Sequence, residues 1–96
     1  MSPAVPLAFA SFSVLQYAVE VRWAQASRRH RIGRAHARHV MATVQPINTA
    51  TSSGNQALLW VGPDDRGVEL EIVAVVLPDL YLVIHVMPTA LRREQP

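Results

Sequence analysis

The sequence predicts an α+β fold in the order β-α-α-β-β-β, an antiparallel sheet with two helices on one face. Three observations carry that prediction. Strongly apolar runs close the chain at 57–62, 68–77 and 80–87, separated by the turn-forming segments 63–67 and Pro78-Asp79. Upstream, Ala37, Val40, Met41 and Val44 recur at the spacing of one buried helical stripe. Helical segments followed by a run of tightly connected strands suit a layered α+β domain better than parallel βαβ units. The chain has 96 residues, half of them apolar and 17% charged, so it holds one domain and is not a disordered tail.

The elements follow in order. Residues 1–16 read as an apolar arm ahead of a single domain spanning 17–93. The first nineteen residues carry no charge, but Pro3 and Pro6 interrupt them and no basic segment precedes them. A secretory signal needs that basic segment, and a bilayer span needs about 20 apolar residues. The expectation is therefore a cytoplasmic chain with no membrane association, whose arm packs on the domain or on a partner. Tyr17, Val19, Val21 and Trp23 alternate with polar neighbours, which predicts a strand over 17–23. Residues 24–31 (AQASRRHR) suit a short helix, and Gly33 is a joint. A second helix over 34–44 ends before Pro46, placing Arg34 and Arg38 on one exposed face. The polar stretch 47–56 reads as a loop, long for a small domain and therefore suited to binding.

If Pro78-Asp79 closes a tight hairpin, Ile72 lies opposite His85 and Glu71 opposite Val86. His85 then shares a face with Ile72, and Glu71 lies on the other. Both faces are largely apolar, which predicts a second cover: the arm or another protein chain.

All nine basic residues are arginine, and there is no cysteine, which excludes disulfides, thiolate metal sites and thiol catalysis. Six arginines (Arg22, Arg28, Arg29, Arg31, Arg34, Arg38) fall between Glu20 and Asp64, an interval without an acid. The remainder carries three arginines against seven acids, so a net charge of +2 hides a basic half and an acidic half. Such a segment attracts an anionic partner, and the planar guanidinium suits phosphate.

No phosphate-binding glycine loop or nucleophilic triad is legible, and His36 and His39 have no carboxylate nearby in sequence, so no metal or cofactor is expected. Arginine, histidine and Glu71 remain. They suffice for metal-free cleavage of RNA by its own 2′-hydroxyl, which needs a base, an acid and a cation at the phosphate. His85 is the most suggestive residue, since it interrupts an apolar strand.

The segments Val21-Arg22-Trp23, SRRHRIG (27–33), GPDDRGVELEIVAVV (62–76) and LVIHVMPTALRR (82–93) together resemble BrnT-type bacterial toxins. In that family a tryptophan-bearing strand leads into a helix ending in a basic-His-Gly-hydrophobic corner, and a hairpin precedes a basic end. The similarity covers about residues 19–93; here the corner reads His-Arg-Ile-Gly, with the glycine displaced. The resemblance implies a fold related to RelE ribonucleases and a cognate antitoxin as partner. It matches His30 to the corner histidine, Glu71 to the strand glutamate and Arg92 with Arg93 to the basic pair; Arg66 matches a basic turn position.

The expectation is a toxin-like endoribonuclease with His30, Glu71, His85 and Arg92 as catalytic candidates. Arg28, Arg29, Arg31, Arg34, Arg38, Arg66 and Arg93 are candidates for RNA binding, and the chain is expected as a homodimer or a toxin–antitoxin hetero-oligomer. The rival is a non-catalytic module, a degenerate toxin included, that binds RNA or protein.

Overall fold

The computed structural model describes residues 19–93; the expected N-terminal arm lies outside them. The class is α+β. Strand β1 (Glu20–Trp23) leads into one 3-10 turn (Gln25–Arg28), then helix α1 (Arg34–Thr43). Strands β2 (Ile47–Ala50), β3 (Gln56–Pro63), β4 (Glu69–Val76) and β5 (Leu80–Pro88) follow, and a short helix α2 (Thr89–Arg93) ends the described chain. The sheet has five strands in the order β1-β5-β4-β3-β2. It is mixed, since β1 runs parallel to β5 while the other pairs are antiparallel.

The parallel β1–β5 pair corrects the expectation of a wholly antiparallel sheet, and two of the expected elements need correction as well. The segment 24–31 forms a single 3-10 turn rather than an α-helix. The polar stretch 47–56 is a hairpin, because its first four residues pair with β3 and residues 51–55 make the turn. The Thr51 hydroxyl accepts the Asn55 N–H at 3.0 Å and Gly54 takes φ 91°. Strand β2 escapes a hydrophobic pattern because it is an edge strand with all four side chains exposed.

One face of the sheet holds the core. Val40, Trp60, Leu70, Ile72 and Val83 are fully buried there, with Ala37 and Met41 of α1 packed against them. Each large side chain contributes about 1.5–3 kcal/mol through burial. Gly62 lets α1 end close against β3, because a Cβ at that position would overlap the Val44 side chain.

The β4–β5 hairpin starts in the expected register: Val76 faces Tyr81, Val75 faces Leu82 and Ala74 faces Val83. A bulge at Ile84 then shifts the ladder by one residue, so Val73 faces His85, Ile72 faces Val86 and Glu71 faces Met87. The expected pairing of Ile72 with His85 is therefore corrected, and His85 shares a face with Glu71. Core burial explains the shift. Val83 and Val86 are both buried on the helix side, and two core residues three apart in a strand need one extra residue between them.

Two local devices fix the ends of the elements. Asp64 closes the β3–β4 turn: its Oδ1 accepts the Arg66 and Val68 N–H groups at 2.8 and 3.0 Å. Its Oδ2 accepts the Arg66 Nε at 3.0 Å and a terminal guanidinium nitrogen at 2.6 Å. The second device is Arg31, whose φ of 57° is left-handed although it is not glycine. It turns the chain from the 3-10 segment toward α1.

Burial alone would raise the Asp64 carboxyl, but its bonds to Arg66 and Val68 outweigh that and hold it down to about 2. A depressed native value means stabilisation that is complete above the unfolded aspartate range, about 3.9, and lost as pH falls toward the native value. Asp64→Asn is expected to lower stability at pH 7 and to shrink the difference between urea unfolding at neutral and strongly acidic pH. Arg31→Gly relieves a conformation that costs an L-residue about 1–2 kcal/mol, less glycine's entropy, so thermal unfolding is expected to show a gain of about 0.5–1 kcal/mol.

Candidate active site

The bulge and the C-terminal helix build the site together. Glu69 and Glu71 are two apart on β4 and point to the face away from the core. Glu69 Oε1 accepts the Thr89 hydroxyl at 2.6 Å, which docks the start of α2 on the sheet. One turn later, Arg92 lays its guanidinium along the Glu71 carboxylate, Nε to Oε1 at 2.9 Å and a terminal nitrogen to Oε2. His85 Nε2 meets the same Oε2 at 2.9 Å. A carboxylate only accepts, so this contact places the proton on Nε2 and leaves Nδ1 as the basic nitrogen of the neutral ring.

Glu71 is the hub. Its side chain is only 9% exposed, whereas His85 is 30% and Arg92 63% exposed. The Arg92 guanidinium, and then the His85 contact, hold the Glu71 carboxyl below the usual range against the opposing effect of burial. The same pairing raises the Arg92 guanidinium further, so it remains a cation at any working pH.

Two clefts meet over this cluster and share Ile84, His85 and Arg92. One, of about 310 Å³, is lined also by Ala26, Arg29, His30 and Met87. The other, of about 410 Å³, adds Glu71, Leu59, Val61, Val73 and the hairpin residues 49–52. The His30 ring stands edge-on to the His85 ring with centroids 6.3 Å apart. No protein-family model, curated protein or solved structure matches this chain.

Of the residues expected from sequence, His30, Glu71, His85, Arg92 and Arg29 come together. The others lie elsewhere. Arg66 is held by the buried Asp64 in the β3–β4 turn, outside the lining of both clefts. Arg34 and Arg38 stack on the Trp23 ring at 5.8 and 5.4 Å. Arg28 and Arg31 are exposed on the 3-10 turn and the corner after it. The side chain of Arg93 lies outside the described residues.

His36 does have a carboxylate beside it, contrary to the reading of local sequence: its Nδ1 bonds Asp65 Oδ1 at 2.6 Å, and Asp64 lies within the same cluster. Both oxygens of Asp64 already accept four N–H groups, so the cluster is built as a turn clamp tied to α1. Sequence reasoning missed the aliphatic residues of the larger cleft and Met87, whose alternation looked like core. The polar segment 47–56 was the one legible signal of that wall.

Removing the principal cation beside Glu71 should let its carboxyl rise. Carboxyl NMR of Arg92→Ala is expected to show Glu71 titrating higher than in the parent chain. Arg92→Ala,His85→Ala should raise it further, since burial then acts almost unopposed.

Proposed function

We propose that this chain is a metal-independent endoribonuclease, acting in the cytoplasm as the toxin of a toxin–antitoxin pair. The observation that carries the reading is the convergence of His85, Arg92 and Glu71 with His30 and Arg29 along one trough. Two imidazoles and two guanidiniums supply what RNA transesterification needs.

His85, oriented by Glu71, takes the proton of the 2′-hydroxyl as its oxygen bonds to phosphorus. The bond from phosphorus to the 5′-oxygen breaks, and His30 protonates that leaving oxygen. The products are a 2′,3′-cyclic phosphate and a 5′-hydroxyl end. Arg92 and Arg29 hold the phosphate oxygens as charge builds. Glu71 keeps His85 in one tautomer and Arg92 in place.

The resemblance to BrnT-type toxins, and through them to RelE ribonucleases, supports the same reading. That pattern carries glycine directly after the corner histidine, and the residue after His30 is Arg31, which adopts a left-handed backbone of the kind glycine favours. The proposed partner is a cognate antitoxin that covers the trough.

One observation favours a second reading, a non-catalytic module: Arg34 and Arg38 are stacked on Trp23 away from the trough, forming a cationic surface of their own. Incubation of purified protein with RNA in EDTA separates the two. The ribonuclease reading expects cyclic-phosphate ends, and a loss of about 10²–10⁴-fold in rate for His85→Ala with the fold intact. Intact RNA, together with binding that weakens with salt at a slope of about −0.7 per phosphate contact, supports the module instead.

A further inference from the structure

The larger cleft differs in chemistry from the smaller one it joins. The smaller side is cationic, with Arg29 and His30. The larger side has an aliphatic floor of Leu59, Val61 and Val73, and a rim that includes the hydroxyl residues Thr49 and Ser52. Among the described residues Arg92, shared with the smaller side, is the one arginine in its lining. A ligand filling both sides must be anionic at one end. At the other it must be neutral and apolar across its faces, with hydrogen-bonding groups at its edge.

We infer that the larger cleft is a nucleobase subsite, taking the base of the nucleotide that flanks the phosphate held between His85 and Arg92. This deepens the ribonuclease reading and rests on the trough being a phosphodiester site. The volume of about 410 Å³ lies within the range of small-molecule pockets, about 300–1,000 Å³. An α-helix about 10–12 Å across would need a longer groove. The floor suits the flat face of a base, because Val73 lies beside Leu59 in the β3–β4 ladder and Val61 lies beside Glu71. Those pairs put aliphatic surface directly next to the charged cluster. The hydroxyls both donate and accept, so the rim can meet the edge of a base without demanding one identity. Among the described residues the one aromatic ring lining this cleft is that of His85, so the base rests mainly on aliphatic contact and hydroxyl bonds.

The discriminating experiment is an NMR titration of the whole chain with adenosine 3′-monophosphate, uridine 3′-monophosphate and ribose 5-phosphate at millimolar concentrations, beside an RNA cleavage assay. The nucleotides are expected to shift amides of Thr49, Ser52, Val61 and Val73 as well as the rings of His30 and His85. Ribose 5-phosphate should shift only the histidine side and bind roughly tenfold more weakly. Leu59→Ala,Val61→Ser should abolish that preference and leave ribose 5-phosphate binding unchanged. Equal affinities, with shifts confined to Arg29 and His30, would overturn the subsite while leaving the phosphodiester site standing. Nucleotide binding as described without RNA cleavage would support the subsite and overturn the ribonuclease reading. If the nucleotides move neither side, and the protein encoded beside this chain moves Thr49, Ser52 and Val73, the cleft belongs to a protein partner and the inference fails.

Discussion

The core's requirement for both Val83 and Val86 on one side of β5 governs the arrangement of the molecule. A regular strand would send one of them to the opposite face. The extra residue at Ile84 resolves the conflict, and the same displacement carries His85 out of the helix-side core to stand beside Glu71. Had the ladder stayed regular, an imidazole would face Ile72 within an apolar layer, where an unpaired polar group costs about 1–3 kcal/mol. The packing of one face thus dictates the chemistry of the other. A bulge redirecting a side chain beside a cleft is a common use of that irregularity.

The charge pattern follows a similar logic of shared partners. Glu71 is nearly buried and would be expensive alone; the Arg92 fork and the His85 ring make it tolerable. Arg92 can lie on it because Thr89 and Glu69 first dock the start of α2. Asp64 plays the corresponding part in the β3–β4 turn, where four N–H bonds hold a buried carboxylate. The two acids differ in what surrounds them. The Arg92 and His85 side chains on Glu71 face an open cleft, whereas Arg66 on Asp64 belongs to a turn.

Local pattern carried much of the fold. The expected helix 34–44 and strands 57–62, 68–77 and 80–87 agree with α1, β3, β4 and β5 to within a residue or so at each end. What local pattern cannot carry is long-range pairing. The parallel contact of β1 with β5 joins residues some sixty positions apart, and β2 has no buried side chain to announce it. The site was partly legible for the same reason. His85 stood out as a polar break in an apolar run, and Glu71 as an acid within one. Their contact was not legible, because it depends on one residue of slippage that only the packing of Val86 reveals. The spacing of Arg34 and Arg38 puts both on one exposed face, where they lie, but nothing in it tells of Trp23, which lies before the turn.

That last arrangement bears on why the basic block has its present form. Helix α1 begins at Arg34 behind Gly33, with no side-chain cap and no acid in its first turn. A cation at this end opposes the helix dipole, and glycine at the cap forgoes roughly a few tenths of a kcal/mol relative to Ser or Asp. Stability alone would favour Ser or Asp at residue 33 and an acid in the first turn. Stacking on Trp23 offsets the loss, at about 0.5–1 kcal/mol for each exposed cation–π contact. The sequence therefore keeps its positive charge where helix formation disfavours it and holds two of the guanidiniums in fixed positions. Ordering of the two guanidiniums on Trp23 is what lets helix α1 begin on a cation without a side-chain cap.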